Sequence, residues 1–358
     1  MNSNAGTDAS AMASVKTLAE RYAQETESLG KLHPKVVRAV CDNKFPELIK
    51  PHNSGNLRQF IDTCSVIAEG CMSTGWCNFV WGMHNYLIAL YPQSVQEKVW
   101  HGTDPVRQLV SASLGPAGKA IEERDSGLLV SGRWSFASGC DHAEWLLLGI
   151  KRDGHEPTLG LFRRKEVEID DSSWQVIGLR GTGSKDVVAN EVLVPWERLL
   201  SFSESLAPYA AMLILVIVGP VVGGAQGAVD HYQRSLQSML HNVDDFSLKS
   251  APHLLCLTKA TAEVDTARTI VLAAADQLDI NPTPDDYTTA KIVRDTAYAA
   301  QLSKRATQRV FDISGGSALK KSNPLQRFYR DVTAGCAHAR LRWDEQALSF
   351  ASLSLTRK

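Results

Sequence analysis

Hydrophobic positions recur with a helical period at both ends of the chain and with a strand period in the middle. Over residues 1–105, apolar side chains return every three or four positions, which is the spacing of one face of an α-helix. Gly30 is a helix stop signal, whereas Pro34 and Asn56 are start signals. This part of the chain is therefore predicted to be an N-terminal α-helical domain.

The period changes to an alternation over residues 106–200. Residues 128–136, 144–150 and 158–162 alternate or form short apolar runs that are rich in β-branched and aromatic side chains. Runs of this length between turn residues are typical of strands. We therefore predict a β-barrel or β-sheet domain in the middle of the chain.

The helical period returns over residues 201–358. Ala260, Val264, Ala267 and Val271 step by four and three positions, which is the pattern of a bundle helix. The predicted fold is therefore α+β and multi-domain, with a C-terminal helical bundle.

An uncharged stretch over residues 205–229 raises the question of a membrane span. A spanning helix needs about 20 apolar residues and basic or aromatic anchors. Pro208 and Pro220 interrupt this stretch, and its flanks are Glu204 and Asp230. We predict a buried bundle helix and no membrane association.

The amino-acid composition argues against several classes of protein. The chain has 358 residues and a formal net charge of -1, which argues against a nucleic-acid partner. Its 7 Cys are scattered without metal-ligand spacing, and no secretory signal is present, so we expect a cytoplasmic protein that binds no metal. The sequence contains neither a GxGxxG motif nor a Walker loop, so it gives no sign of a nucleotide-reducing domain.

The run from Trp174 to Pro195, WQVIGLRGTGSKDVVANEVLVP, carries the strongest signal. Its alternation predicts a strand over 174–179, a Gly-rich loop, and then a hairpin over 187–194 that turns at Ala189-Asn190. The run resembles the β-domain signature of the acyl-CoA dehydrogenase superfamily, in the form carried by its two-component flavin-dependent monooxygenases.

This resemblance covers nearly the whole chain and implies more than the residues do. It implies a C-terminal four-helix bundle and a homotetramer. It also implies reduced FMN or FAD from a separate NAD(P)H-flavin reductase, with O₂ as cosubstrate. The expected activity is oxygenation of a small organic substrate, typically aromatic or a natural product, through a flavin C4a-hydroperoxide. The resemblance leaves open whether carbon, nitrogen or sulfur is attacked.

Residues 132–145 resemble the flavin-contacting strand of that branch. The resemblance assigns to Ser138 a bond with flavin N5, and small Ala137 would let a flat ring approach the backbone. Trp134 and Phe136 would pack against the flavin ring. Upstream, residues 111–116 match the family's other flavin loop, which makes Ser113 a further flavin contact.

The closing motif Arg330–Arg340 distinguishes oxygenases from dehydrogenases. Dehydrogenases of the family place a catalytic Glu either where Ala339 stands here or where Met212 stands. The monooxygenases instead have a His at the position of His338, which we expect to be catalytic. Helical spacing would put it on one face with Asp331, Ala334 and Gly335, the small pair leaving space before the imidazole.

His84 is the third catalytic candidate, because it borders an apolar helical stripe and the family places a polar group of this helix near the substrate. A half-buried structural His is the alternative. The stretch after Arg234 departs from the dehydrogenase motif that holds the adenine half of FAD, which favours transient FMN binding. The competing hypotheses are an acyl-CoA dehydrogenase or oxidase, and a catalytically inactive oligomeric homologue.

Overall fold

A computed structural model of the protein describes residues 9–51, 55–101, 104–240 and 251–356. The N-terminal part is helical, as predicted. Its helices are α1 (Ala9–Leu29), α2 (Pro34–Asp42), α3 (Leu57–Gly70), α4 (Met72–Ile88) and α5 (Gln93–Trp100). The predicted signals act as expected: Gly30 adopts a φ of +62° after α1, and Asn56 Oδ1 accepts a hydrogen bond from Gln59 N at the start of α3.

The middle part is one seven-stranded sheet in the order β5-β6-β2-β1-β3-β4-β7. Its strands are β1 (Val110–Arg124), β2 (Gly127–Ala137), β3 (Trp145–Lys151), β4 (Thr158–Arg163), β5 (Glu168–Asp170), β6 (Lys185–Pro195) and β7 (Leu199–Ser201). The β1–β3 pair is parallel, and the other pairs are antiparallel. One face of the sheet has a hydrophobic core of its own, and the other packs on α4.

Two local predictions in this part are wrong. Residues 187–194 are not a hairpin, because β6 is one continuous strand that pairs with β2. Val192 pairs with Val130 and Ala189 with Gly132, so Asn190 and Glu191 form a bulge, and Glu191 has a φ of +50°. Residues 174–179 form no strand; they cross the molecular surface as irregular chain.

The C-terminal part is a bundle of long helices. These are α6 (Phe202–Leu206), α7 (Ala210–Leu240), α8 (Ala251–Ile280), α9 (Asp286–Ile313), α10 (Pro324–Cys336) and α11 (Trp343–Thr356). Helices α7, α8, α9 and α10 pack on one another, with α3 against α7 and α11 against α9. The apolar helix at 207–239 is long enough to cross a membrane, but 83% of its most apolar window is buried within the bundle.

Small residues let α7 approach α3 closely. A Cβ at Gly223 would stand 2.0 Å from the backbone oxygen of Ser65, and one at Gly227 would stand 2.5 Å from that of Glu69. The glycines therefore set the distance between these helices.

The bundle is tied to the sheet by one buried carboxylate. Leu179 N donates to Oδ1 of Asp331 on α10 at 2.6 Å, and Leu179 has a left-handed φ of +53°. Beside it, Arg330 donates to the carbonyl of Ile177 and pairs with Glu27 on α1. The connection between the irregular segment and β6 therefore has its position fixed by α10.

The α3–α7 contact predicts that Gly223→Ala destabilises the protein. The added methyl group has no room before a backbone oxygen, and overpacking of this kind costs about 1–3 kcal/mol even after the gain in helix propensity. The free energy of unfolding, measured by urea titration, should fall by that amount.

Gly316→Ala is the matched control, because a Cβ there meets nothing within 4 Å. Its free energy of unfolding should stay within about 0.5 kcal/mol of the wild type. Equal stability of the two variants would contradict the packing role of Gly223.

The buried carboxyl of Asp331 should make the stability of the protein depend on pH. Burial raises the pKa of its carboxyl from 3.8 to about 6, although the hydrogen bond from Leu179 and the charges of Arg330 and Arg327 lower it. Between pH 4 and 6 the folded state then binds more protons at this site than the unfolded state. The free energy of unfolding should therefore fall with rising pH in this window, by an amount on the order of 2–3 kcal/mol.

Asp331→Asn should remove this component, because the amide oxygen still accepts from Leu179 N but carries no ionisable proton. Urea titrations at several pH values between 4 and 6 would compare the two slopes. Asp344→Asn, which removes an exposed carboxyl on α11, controls for net charge. A wild-type slope retained in Asp331→Asn would show that the buried carboxyl is not its source.

Candidate active site

The end of β2 meets helix α4, because Ser138, the residue after the strand, bonds Trp76 of that helix. We call the region around Phe136, Ser138 and Trp76 the groove. Trp134 pairs with Val187 and Ala137 with Lys185, so β2 has one residue more than β6 between these pairs. The bulge gives Phe136 a φ of +64° and leaves its side chain 71% exposed, at 6.2 Å and edge-on to Trp174. An exposed aromatic residue in a strained backbone conformation is typical of a binding surface.

The same bulge shows that the predicted contacts of Trp134 and Ala137 are wrong. Both residues are 0% exposed, because they lie on the opposite side of β2, in the core of the sheet. The Trp134 indole N–H donates to the Gly149 carbonyl at 2.7 Å. Neither residue has surface with which to contact a cofactor, whereas Phe136 does.

Ser138 lies where β2 meets α4. Its hydroxyl accepts from the indole N–H of Trp76 at 3.2 Å and shares a hydrogen bond of 2.7 Å with the Ser184 hydroxyl. Its carbonyl accepts from the Ser111 hydroxyl at 2.8 Å. With 8% of its surface exposed, Ser138 is held in place from three elements.

Ser113 lies on β1, two residues after Ser111, whose hydroxyl bonds the Ser138 carbonyl. Residues 111–116 belong to this strand, although the resemblance describes them as a loop. The Ser113 hydroxyl donates to the Ser135 carbonyl at 2.8 Å, which ties β1 to the bulged end of β2. Its half-buried side chain therefore lies next to the residue that precedes Phe136.

His338 approaches this groove from the bundle. Helix α10 ends at Cys336, so His338 does not continue the helical face of Asp331, as the spacing predicts. It is the N-cap of the next turn, and its Nδ1 accepts from Arg340 N at 3.2 Å. Burial, and to a smaller extent Arg340, lower the pKa of His338, so the imidazole is neutral at neutral pH with its proton on Nε2.

The small residues Ala334 and Gly335 are packing residues, which corrects the prediction that they leave space in front of the His338 imidazole. A Cβ at Gly335 would stand 2.6 Å from Met72 Cε, and one at Gly178 would stand 2.9 Å from the Cβ of Ala334. The pair therefore allows α10 to pack closely on α4 and on the segment before Leu179.

His84 is a buried residue of α4, 8% exposed. Burial lowers its pKa to about 4, against a backbone hydrogen bond at Val110, so the ring is neutral at neutral pH. Its Nδ1 has no hydrogen-bond partner among the residues that the structure describes. A buried ring nitrogen without a partner is unusual and is a candidate for binding a ligand group.

Trp76 links two of the predicted catalytic residues, Ser138 and His338. Its indole N–H bonds Ser138, and its ring centroid lies 6.3 Å from that of His338. His84 follows it by eight positions on the same helix, about 12 Å along the axis. Sequence reasoning missed Trp76, because a Trp in an apolar helical stripe is normally a core residue. It also missed Ser184 and Thr182, which belong to the recognised motif but have no individual signal.

The groups in this groove fit a flat heteroaromatic cofactor. Phe136 and Trp174 offer ring surface, and Ser138 offers a hydroxyl oxygen for the polar edge of such a ring. Across the described ranges, no cluster of three or more His, Cys, Asp or Glu side chains has metal-binding geometry. Arg234 is exposed and pairs with Glu20, while residues 241–250 of the departing stretch lie outside the described residues.

Comparison with known proteins gives consistent results. Residues 215–343 match the family model "Acyl-CoA dehydrogenase, C-terminal domain". The oxygenase subunit HsaA of a flavin-dependent monooxygenase from Mycobacterium tuberculosis is 34% identical over 350 residues, covering 88% of this chain and 87% of that protein. The oxygenase component of the FADH(2)-dependent resorcinol hydroxylase from a Rhizobium species is 27% identical, covering 93% of this chain and 90% of that protein.

The fold matches as well. The crystal structure of 3-HSA hydroxylase from Rhodococcus sp. RHA1 superposes with a TM-score of 0.92 at 27% identity, covering 100% of this chain and 98% of that one. Identity of 34% over 88% of the chain is sufficient to assign the family. The chain belongs to the oxygenase subunits of two-component flavin-dependent monooxygenases, within the acyl-CoA dehydrogenase superfamily.

Proposed function

We propose that this oxygenase subunit binds reduced FMN or FAD in the groove beside Phe136 and Ser138 and oxygenates a small aromatic substrate there. The observation that carries the proposal is the position of Trp76, which contacts both Ser138 and His338. A sheet residue and a bundle residue thereby flank one groove, next to an exposed aromatic side chain.

Phe136, Ser138 and Ser113 are the residues that would hold the flavin. The bulge at Phe136 presents a ring to the groove, while Trp76, Ser184 and Ser111 keep Ser138 at a fixed place. When bound, reduced flavin supplies the activation of dioxygen. The protein's task is to position the reactants and to exclude water.

His338 is the proposed hydrogen-bond donor to the activated oxygen. Its Nδ1 is engaged by Arg340 N, so Nε2–H is the group that remains to donate toward the groove. The lowered pKa keeps the ring neutral. A neutral imidazole held in one tautomer can give a hydrogen bond to activated oxygen without adding a charge to a buried site.

His84 is the proposed substrate contact. Its Nδ1 is a buried nitrogen without a partner among the described residues, and burial keeps the ring neutral. With the ring proton on Nε2, Nδ1 would be an acceptor. A hydroxyl group on an aromatic ring would donate to it and satisfy the orphan nitrogen. One relative is a resorcinol hydroxylase, and resorcinol is a phenol. We therefore propose a phenolic substrate for this chain.

The remaining features follow from the same proposal. A separate NAD(P)H-flavin reductase delivers the flavin to a cytoplasmic oxygenase that binds neither membrane nor nucleic acid. Three domains, over residues 1–105, 106–200 and 201–358, meet at the groove, since Trp76, Ser138 and His338 come from different ones. Met212 and Ala339 stand where dehydrogenases of the family have their carboxylate, which supports oxygenation over dehydrogenation.

A homotetramer is part of this proposal. A single copy leaves Leu255, Ile280, Leu348 and Leu355 of the C-terminal helices 72%, 86%, 71% and 87% exposed. Apolar surface of this kind is typical of a face that packs against another subunit. Sedimentation equilibrium should give four times the subunit mass of 39.2 kDa. A species of 39.2 kDa at micromolar concentration would contradict the tetramer.

The role of His338 predicts that His338→Ala uncouples oxygen use from product formation. The variant should fold and bind reduced flavin, because His338 caps only a short turn. Product formation should fall by about 10²–10⁴-fold, the usual contribution of a general acid–base group or an oriented hydrogen-bond donor, while hydrogen peroxide release rises. Chromatography of products from a panel of phenols and a peroxide assay would measure the two quantities.

His155→Ala is the matched control, since His155 is exposed in the turn between β3 and β4. It should keep wild-type coupling. If His338→Ala forms product with the wild-type ratio of product to peroxide, His338 is a structural residue and the proposed hydrogen bond to activated oxygen is wrong.

A further inference from the structure

A row of buried hydroxyl groups runs away from the groove beneath Ser138. The Ser138 and Ser184 hydroxyls are 2.7 Å apart, and those of Ser184 and Thr182 are 2.6 Å apart. The Thr182 hydroxyl then donates to the Leu179 carbonyl at 2.8 Å. The three hydroxyl residues are 8%, 5% and 1% exposed, so water does not compete for these bonds.

The direction of every hydrogen bond in this row follows from its last member. A carbonyl oxygen accepts and never donates, so the single proton of Thr182 is committed to Leu179. Ser184 must therefore donate to Thr182, and Ser138 must donate to Ser184. Each hydroxyl has one proton, so the Ser138 proton points away from the groove.

The groove side of Ser138 is left with acceptor capacity alone. A serine oxygen has two lone pairs, and the indole N–H of Trp76 occupies one of them. The second lone pair is free for a donor that enters the groove. Ser138 has no proton to offer to an acceptor unless the whole row reverses.

Reversal is prevented at the far end. Leu179 is held in its left-handed conformation while its N–H donates to the buried Asp331. Its carbonyl also accepts from Thr182 N at 3.0 Å, in addition to the Thr182 hydroxyl. Both lone pairs of this carbonyl are in use, so the row ends at a fixed acceptor. The backbone therefore sets the direction in which each hydroxyl of the row donates.

We propose that Thr182 and Ser184 are positioning residues that make Ser138 an obligatory acceptor, and thereby select reduced over oxidised flavin. This inference rests on the proposed function. Reduced flavin carries a hydrogen on N5, which can donate to Ser138. Oxidised flavin has only a lone pair at N5, so two acceptors would face each other at a site without water. The row therefore favours uptake of the reduced form and release of the oxidised form.

The size of the effect follows from one buried hydrogen bond. Placing an acceptor against an acceptor leaves a buried polar atom unpaired, and such a loss changes a binding constant by about tenfold or more. The wild-type protein should therefore bind reduced FMN and FAD at least about tenfold more tightly than the oxidised forms.

The experiment is anaerobic and aerobic titration of the purified protein with FMN and with FAD, which gives dissociation constants for both redox forms without any turnover. Ser184→Ala removes the acceptor of Ser138, so the Ser138 hydroxyl can rotate and donate toward the groove. Oxidised flavin should then bind about tenfold more tightly, and the preference for reduced flavin should shrink by the same factor. Thr182→Val, which keeps the side-chain shape, should act in the same direction.

Controls separate polarity from packing. Thr182→Ser retains the hydroxyl and should keep the wild-type preference, which a purely structural role of the threonine methyl group would not predict. Ser303→Ala removes a buried hydroxyl of α9 that donates to its own helix, and it should leave both dissociation constants unchanged. Ser138→Ala should weaken binding of reduced flavin without weakening that of oxidised flavin.

The outcomes distinguish this inference from the proposed function. A wild-type protein that binds neither redox form would overturn the proposed function, and the inference with it. A wild-type preference for reduced flavin that persists in folded Ser184→Ala would overturn the inference and leave the function intact. If Thr182→Val loses its circular-dichroism spectrum, Ser184→Ala and Thr182→Ser still decide the result.

Discussion

The hydrogen bond from Leu179 N to Asp331 is the contact on which the rest of the site depends. It fixes the segment before β6 to α10 and supports a left-handed residue that the local sequence does not require. The Leu179 carbonyl then anchors Thr182, and through Ser184 it reaches Ser138. A buried carboxyl of the bundle thereby controls the orientation of a hydroxyl on the sheet.

Trp76 is the second junction, and it explains why three parts of the chain are needed. It lies on α4, bonds Ser138 at the end of β2 and stands beside His338 after α10. None of these parts has the complete site alone. The close α3–α7 crossing at Gly223 keeps the N-terminal helices packed on the bundle.

Much of the fold could be predicted because it depends on local chemistry. Helix starts at Pro34 and Asn56 and the strand period of β3 and β4 are local signals, and the structure confirms them. The two bulges in the β2–β6 pair were missed, since each inserts residues into a strand without an obvious sequence signal. One of them decides the site, because it turns Phe136 outward and Trp134 inward.

The sequence identified the catalytic candidates but did not predict their positions in the structure. The resemblance identifies Ser138 and His338 by their places in two motifs. Helical spacing predicts that His338 continues a face of α10, but this helix ends at Cys336. Trp76 and Ser184 carry no signal of their own, because their roles come from neighbours distant in the chain. Positions of this kind depend on tertiary contacts and are therefore not encoded in local periodicity.

The most direct measurement of the central claim is rapid mixing of the anaerobic protein–reduced flavin complex with oxygenated buffer, followed by flavin absorbance. A groove that holds reduced flavin away from water should make the oxidised spectrum return more slowly than for free flavin, in separate kinetic phases. Return in a single phase at the rate of free flavin, with one peroxide released per flavin, would contradict the account.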